Sequence, residues 1–317
     1  MSPFPTNSFR LFSRTFLSGL LLCVLLAGCA GTSSEKPDTS SIMHGTRDHT
    51  PKVLTPSADA ASVLGTEDVS LDVSHTEDGY FCASYHGASE KVKLQVVTKD
   101  QITYTYDLPS DGSLQVFPFS DGSGDYSIGV YTNVKDTLYA TEYQTTCQVA
   151  LENEYLPFLY PNQYVWFTKD TEAIALAEEV VTPADTDLDA VALVYDYVTS
   201  HVTYDWDKAK TVESDYLPDV DEVLRSGKGI CFDYAALMAA MLRSQKIPTR
   251  LEIGYAGTTY HAWISTYITD VGWVNGIIRF DGTDWSLMDP TLASSESSKK
   301  LRKFISDGQQ YRTCYLY

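Results

Sequence analysis

The chain has 317 residues, 42 of them acidic and 23 basic, for a formal net charge of −19 at pH 7. A surface of that sign repels polyphosphate, so a nucleic-acid partner is not expected. The length allows two ordinary domains. The acidity itself says little about substrate, because solvated carboxylates serve mainly to keep a secreted protein soluble.

At the N-terminus, Arg10 and Arg14 precede an uncharged apolar stretch, Thr15 to Gly28, that leads into Cys29. A charged start, an apolar middle and small residues before the Cys make a secretory signal. The 14-residue stretch is shorter than the ~20 residues a spanning helix needs. Leu26-Ala27-Gly28-Cys29 resembles the bacterial lipoprotein box. The resemblance implies cleavage before Cys29, lipid attachment to its thiol, and an extracytoplasmic chain anchored to the bacterial cell membrane. Residues 1–28 are thus expected as signal peptide, leaving 289 residues with a net charge of −21.

Residues 29–66 are rich in Ser, Thr, Pro, Asp and Lys. So few apolar side chains cannot offset the ordering entropy, and a flexible tether is expected. Residues 67–152 change character. Val92 to Val96, Ile102 to Tyr106, Leu114 to Phe117 and Tyr126 to Tyr131 alternate with period two, punctuated by Asp111-Gly112 and the run Ser120 to Asp125. Short strands at this spacing predict an all-β sandwich domain. His75 and His86 read as isolated surface residues, and the domain as a spacer or binding module.

Residues 153–317 mix helix and strand signals. Thr171 to Val180 reads as a short helix, and Asp187 to His201 places Leu188, Val191, Val194, Tyr195 and Val198 at helical spacing. Asp207 to Asp219 is polar and reads as a long loop. The acidic run Asp215 to Glu222 lacks a calcium-loop pattern and reads as solvated. Gly227-Lys228-Gly229-Ile230-Cys231 then leads into the apolar run Ala235 to Leu242, a buried helix stopped by Pro248. Cys231 falls at its N-terminus, where free backbone N–H groups favour a thiolate and can hold an oxyanion. Thr249 to Gly254 and Thr258 to Ile268 read as strands, the second placing His261, Trp263 and Ser265 on one face. Gly272 to Phe280 is strand-like, Asp281-Gly282 is a hairpin turn, and Trp285, Leu287 and Asp289 alternate up to Pro290.

Five cysteines follow the signal: Cys29, Cys82, Cys147, Cys231 and Cys314. None forms a Cys-x-x-Cys pair, so no structural zinc is expected, and neither metal nor cofactor is. An oxidising compartment permits a Cys82–Cys147 disulfide; spacing does not decide it.

The residues from Gly227 to Thr291 resemble the transglutaminase-like superfamily of cysteine acyltransferases and peptidases. The likeness rests on Gly229-Ile230-Cys231-Phe232-Asp233-Tyr234, Leu242-Arg243-Ser244, Ile247-Pro248, Gly254-Tyr255, His261-Ala262-Trp263 and Met288-Asp289-Pro290-Thr291, in the family's order. It implies an α+β fold: a papain-like, transglutaminase-like cysteine hydrolase core of a helix packed on antiparallel sheet, here preceded by the sandwich. It also implies Cys231 as nucleophile, His261 as general base and acid, and Asp289 as the residue orienting the histidine. Tyr204 is the candidate oxyanion donor, Trp263 a cleft wall, and Asp233 and Tyr234 packing or helix-start residues. The expected function is acyl transfer on amide bonds of proteins or cell-wall peptides through a thioester. A non-catalytic surface binding module on the same fold is the alternative.

Overall fold

The computed structural model describes residues 44–256, 258–275, 278–280, 285–287 and 311–317. The first half is a sandwich of two antiparallel sheets. One sheet orders β1 (Val63–Gly65), β2 (Val69–Asp72), β3 (Tyr80–Tyr85) and β6 (Gln115–Pro118) as β1-β2-β3-β6; the other orders β4 (Val92–Val97), β5 (Thr103–Leu108), β7 (Gly124–Lys135) and β8 (Leu138–Val149) as β5-β4-β7-β8. Period-two alternation decides what each strand buries. Val92, Leu94 and Val96 of β4 and Tyr104, Tyr106 and Leu108 of β5 all turn inward. Phe81 meets Phe117 and Phe119 at centroid distances of 5.3 and 5.1 Å, and Tyr106 meets Phe117 at 4.8 Å. Cys82 and Cys147 are both buried and free, so the disulfide that compartment permits is not made.

The second half packs helices on a sheet. α1 (Glu172–Val181) and α2 (Asp187–His201) come first, followed by β9 (Thr203–Tyr204), α3 (Trp206–Thr211), α4 (Val220–Ser226) and β10 (Lys228–Gly229). α5 (Cys231–Ser244) leads to β11 (Thr249–Ala256), β12 (Thr259–Ile268) and β13 (Gly272–Asn275), then the hairpin β14 (Ile278–Phe280) and β15 (Trp285–Leu287), and finally β16 (Tyr311–Leu316). The antiparallel sheet runs β13-β12-β11-β16. A reciprocal capping box starts α2, with Thr186 Oγ1 accepting from Asp189 N–H and Asp189 accepting from Thr186 N–H. Every residue of α5 from Asp233 to Ser244 is buried. That includes Arg243, whose guanidinium donates to the carbonyls of Thr249 (2.9 Å), Tyr160 (2.8 Å) and Tyr317 (2.7 Å). One side chain thereby ties the helix to β11, to the segment before α1 and to the end of β16.

The α+β fold is as the resemblance implied. The buried core is continuous from the sandwich into the helices and second sheet. Tyrosines make the junction. Tyr104 packs edge-on against Tyr315 (5.4 Å) and Tyr317 (5.5 Å), Tyr164 lies 4.3 Å from Tyr317, and the Tyr104 hydroxyl accepts from Leu316 N–H.

Three sequence expectations change. Residues 44–62, expected within the tether, form a strap laid across both halves. Gly45 N–H donates to Thr182 O, Lys52 N–H to Ser244 O and Ala60 N–H to Asp72 Oδ2. Arg47 pairs with Asp187 at 2.7 Å, and Asp48 pairs with Lys246 at 2.6 Å. A Cβ at Gly45 would stand 2.0 Å from Ala184 O, so only glycine passes there. The strap holds through backbone and ionic partners, which an apolar count does not register. His75 is likewise not isolated: its Nε2 meets Asp59 at 2.8 Å and its Nδ1 meets Asp78 at 3.0 Å. Burial lowers its pKa, but the hydrogen bonds to Asp78 and Asp59 outweigh burial and raise it. Finally, the expected loop from Asp207 contains α3, and the acidic run after it caps helices. Asp219 accepts from Asp221 and Glu222 N–H, while Asp221 accepts from Glu172 and Ala173 N–H.

Candidate active site

The site is assembled where α5 begins. β9 and β10 pair in parallel, setting Tyr204 beside Gly229, and Asp205 N–H donates to Gly229 O at 2.9 Å. A Cβ on Gly229 would lie 2.7 Å from Asp233 Cβ, so the turn into the helix requires glycine. Ile230 is extended (φ −94°, ψ 177°), and Cys231 is the first helical residue.

Asp233 organises this turn. Its carboxylate is fully buried and accepts from Ile230 N–H at 2.7 Å, from Lys208 Nζ at 2.8 Å and from the Tyr216 hydroxyl. The Lys208 ammonium also lies 4.1 Å above the Tyr216 ring. One carboxylate thus fastens α3 and the segment after it to the first turn of α5. Read in sequence as a packing or helix-start residue, Asp233 does both and more. Nothing local announces Lys208 and Tyr216, which lie 25 and 17 residues away from it.

Three groups converge on the Cys231 sulfur: the Ala262 N–H from β12, the Tyr204 hydroxyl from β9 and the Phe232 N–H from the helix itself. The Tyr204 hydroxyl also engages the Cys231 backbone N–H. The expected oxyanion candidate is therefore in contact with the expected nucleophile. Burial pushes the Tyr204 phenol up to about 12, so it keeps its proton and can donate. Trp206 packs tilted against Tyr204 with centroids 4.6 Å apart and is half exposed, as is Tyr260 immediately before His261. These two aromatics are open to solvent beside the site and carry no signal in the sequence.

His261 directly precedes the residue whose N–H meets the sulfur. It is buried, on the strand face shared with Trp263 and Ser265, as period two predicts. Trp263 is not a cleft wall. It is only 4 % exposed, stacks near His261 (6.3 Å, 23°) and meets Tyr311 edge-on at 5.1 Å, so it backs the histidine. Ser265 and Thr313 both donate to the buried Glu252 carboxylate. Asp289 and Cys29 lie outside the described residues.

The electrostatics depart from the sequence expectation. A helix N-terminus predicts a lowered thiol pKa, but the Cys231 thiol is raised. Burial is the largest cause; the Ala262 N–H, the Tyr204 hydroxyl and the Phe232 N–H pull the other way, and the Asp233 charge adds to the rise. Burial also pushes the His261 imidazole down to about 4. Both groups therefore rest neutral at pH 7. Among the described residues, no group of three or more His, Cys, Asp or Glu side chains is arranged to hold a metal ion.

Residues 174–276 match the sequence model of the transglutaminase-like superfamily. Over 90 residues the chain is 31 % identical to UPF0252 protein MJ1282 of Methanocaldococcus jannaschii, covering 25 % of this chain and 26 % of that protein. The match therefore spans about a quarter of that relative's length. Among solved structures, a candidate cysteine protease from Cytophaga hutchinsonii is 16 % identical, with 62 % of this chain and 77 % of that chain covered and a TM-score of 0.35. The periplasmic domain of TgpA from Pseudomonas aeruginosa is 17 % identical, with 80 % and 81 % covered and a TM-score of 0.31.

Proposed function

We propose that this chain is a cysteine acyltransferase or peptidase acting on amide bonds through a Cys231 thioester, a reading supported by the match of residues 174–276 to the sequence model of the transglutaminase-like superfamily. One observation carries the reading: a backbone N–H from a neighbouring strand, a tyrosine hydroxyl and a helix N-terminus meet at a single sulfur.

From a neutral thiol and a neutral imidazole, the chemistry starts with a proton transfer. As Cys231 Sγ bonds to the amide carbon, its proton passes to His261. Negative charge builds on the carbonyl oxygen, where the Cys231 N–H and the Tyr204 hydroxyl donate to it. The C–N bond breaks, the leaving amine takes the proton from His261, and a thioester remains. His261, neutral again, removes a proton from the incoming nucleophile. Water completes hydrolysis; a primary amine completes a cross-link. In this reading Asp289 accepts the second imidazole N–H and fixes the tautomer.

The substrates we propose are proteins or cell-wall peptides, met outside the cytoplasm by a chain anchored through lipidated Cys29. The N-terminal signal supports this placement. Among the described residues, no helix is long and apolar enough to cross a membrane. Mass spectrometry of the mature N-terminus tests the anchor: an unmodified Cys29 removes it.

The enzymatic test uses Cys231→Ala and Cys231→Ser with cell-wall fragments and casein, with and without a labelled primary amine. Turnover and a Cys231-linked acyl adduct should vanish in both variants, and label incorporation separates cross-linking from hydrolysis. Equal turnover before and after substitution rejects the thioester. No turnover by the parent chain on either substrate favours the binding module.

A further inference from the structure

Asp233 builds the turn into α5, yet its charge opposes the chemistry proposed there. The carboxylate stands two residues after Cys231 at the same helix end, fully buried. The N–H groups of a helix N-terminus favour an anion beside them. A fixed carboxylate takes up that favour and repels a second negative charge on the sulfur. Burial first, and the Asp233 charge with it, raise the Cys231 thiol. Such repulsion is stronger in a buried site than in water. The turn cannot dispense with the carboxylate, because the Ile230 N–H donates to it at 2.7 Å.

Lys208 answers that charge. Its Nζ donates to Asp233 Oδ2 at 2.8 Å and to the Tyr216 hydroxyl at 2.6 Å, and that hydroxyl donates to Asp233 Oδ1. The three side chains close a ring, with the ammonium 4.1 Å from the centroid of the Tyr216 ring. Backbone contacts set the lysine in place. Asp205 N–H donates to Gly229 O, and Asp205 Oδ1 accepts from Lys208 N–H at 2.9 Å. Lys210, on the same helix, is 73 % exposed and stands in solvent. From the sulfur, Asp233 with Lys208 is a dipole, whereas Asp233 alone is a full charge.

We propose that Lys208 is a positioning residue for the Cys231 chemistry: its ammonium neutralises the buried Asp233 carboxylate, so that negative charge can develop on the sulfur two residues away. The proposal rests on the Cys231 reading and adds to it. Among the described residues, the other titratable groups facing the sulfur are Tyr204 from β9 and Tyr260 from β12. Both are phenols whose protons burial holds in place, and His261 on β12 rests neutral. Lys208 thus supplies the positive charge that this end of the helix lacks.

The test is alkylation of the full chain by neutral iodoacetamide across about pH 7–10.5, read by mass spectrometry of the peptide holding Cys231. Lys208→Met keeps the stem and removes the charge. The side chain is 29 % exposed and α3 buries no residue, so the variant should fold. Asp233 keeps the Ile230 N–H and the Tyr216 hydroxyl as donors and stays charged over that range. The alkylation midpoint should rise by about one pH unit, with the rate at pH ~8.5 lower by about fivefold. Lys208→Met combined with Asp233→Asn removes both charges and keeps an oxygen for the Ile230 N–H. Its midpoint should return to the parent value or below it. A lysine that only props the turn predicts the reverse, a double variant further from the parent than the single one. An unchanged midpoint in Lys208→Met overturns the proposal, as does a double variant whose midpoint stays as high as the single variant's. Neither result bears on the thioester, which is decided by the Cys231-linked adduct and by turnover in Cys231→Ala.

Discussion

Asp233→Ala removes the acceptor on which the first turn of α5 depends, and its cost can be worked from the contacts. The substitution strands the Ile230 N–H in a buried position and leaves Lys208 and Tyr216 without their acceptor. Breaking a buried ion pair by removing one partner costs about 3–5 kcal/mol. The Lys208 side chain is 29 % exposed, so its ammonium can turn to water, which moves the expectation to the low end, about 3 kcal/mol. Asp233→Asn keeps an oxygen for Ile230 N–H and loses only the charge, at about 1–2 kcal/mol. Urea unfolding reads both. With a slope of about 3 kcal/mol/M, the midpoint falls by about 1 M for the Ala variant and about 0.5 M for the Asn variant. A midpoint within about 0.2 M of the parent for Asp233→Ala, or an Asn variant less stable than the Ala variant, would refute the reasoning.

Tyr204→Phe keeps the ring against Trp206 and deletes the hydroxyl; kcat should fall about 10²–10³-fold with little change in KM, and an unchanged kcat removes Tyr204 from oxyanion binding. Because the Cys231 thiol is raised and His261 is pushed down to about 4, alkylation of Cys231 should keep climbing beyond the ordinary thiol range near pH ~8.5. In the same way kcat/KM should lose its base only below about pH 4, as His261 takes up a proton. A flat alkylation plateau across neutral pH would instead reveal a thiolate–imidazolium pair. Arg243→Met takes the guanidinium from the Thr249, Tyr160 and Tyr317 carbonyls, of which Tyr317 O keeps the Leu251 N–H at 2.9 Å. Even with the relief of not burying a guanidinium, about 3 kcal/mol should be lost, seen as a melting point lower by about 6–10 °C; a variant as stable as the parent means those carbonyls find other donors.

Much of the site half can be read from residue order alone. α2 carries apolar residues at helical spacing, α5 an unbroken apolar run, and β11 and β12 form where the sequence reads as strands. Cys231 falls at the first position of its helix, and Tyr204 reaches it, because short-range signals such as glycines, an apolar run and period two govern that geometry. What stays hidden depends on distant partners. α3 is six residues long with no buried face, and its start is set by the Asp205 side chain accepting from Asp207 and Lys208 N–H. The Lys208–Asp233–Tyr216 cluster joins residues no local window contains. The thiol pKa departs from expectation for a related reason: a helix end is visible in sequence, but the burial that opposes it comes from surrounding structure. Trp263 shares the face expected of it, yet Tyr311 of β16 covers it.

The strap has a consequence for how the molecule is made. Arg47 and Asp48 must find Gln245 and Lys246, 198 residues later in the chain. A ribosome releases the N-terminal end first, so those donors and charges emerge long before any partner exists. Closure over such separations is slow in proportion to the entropy of the loop it seals. Docking of this early segment at Gln245 and Lys246 must therefore wait for them, and a nascent chain stalled before residue 245 would carry Arg47 and Asp48 without those two partners.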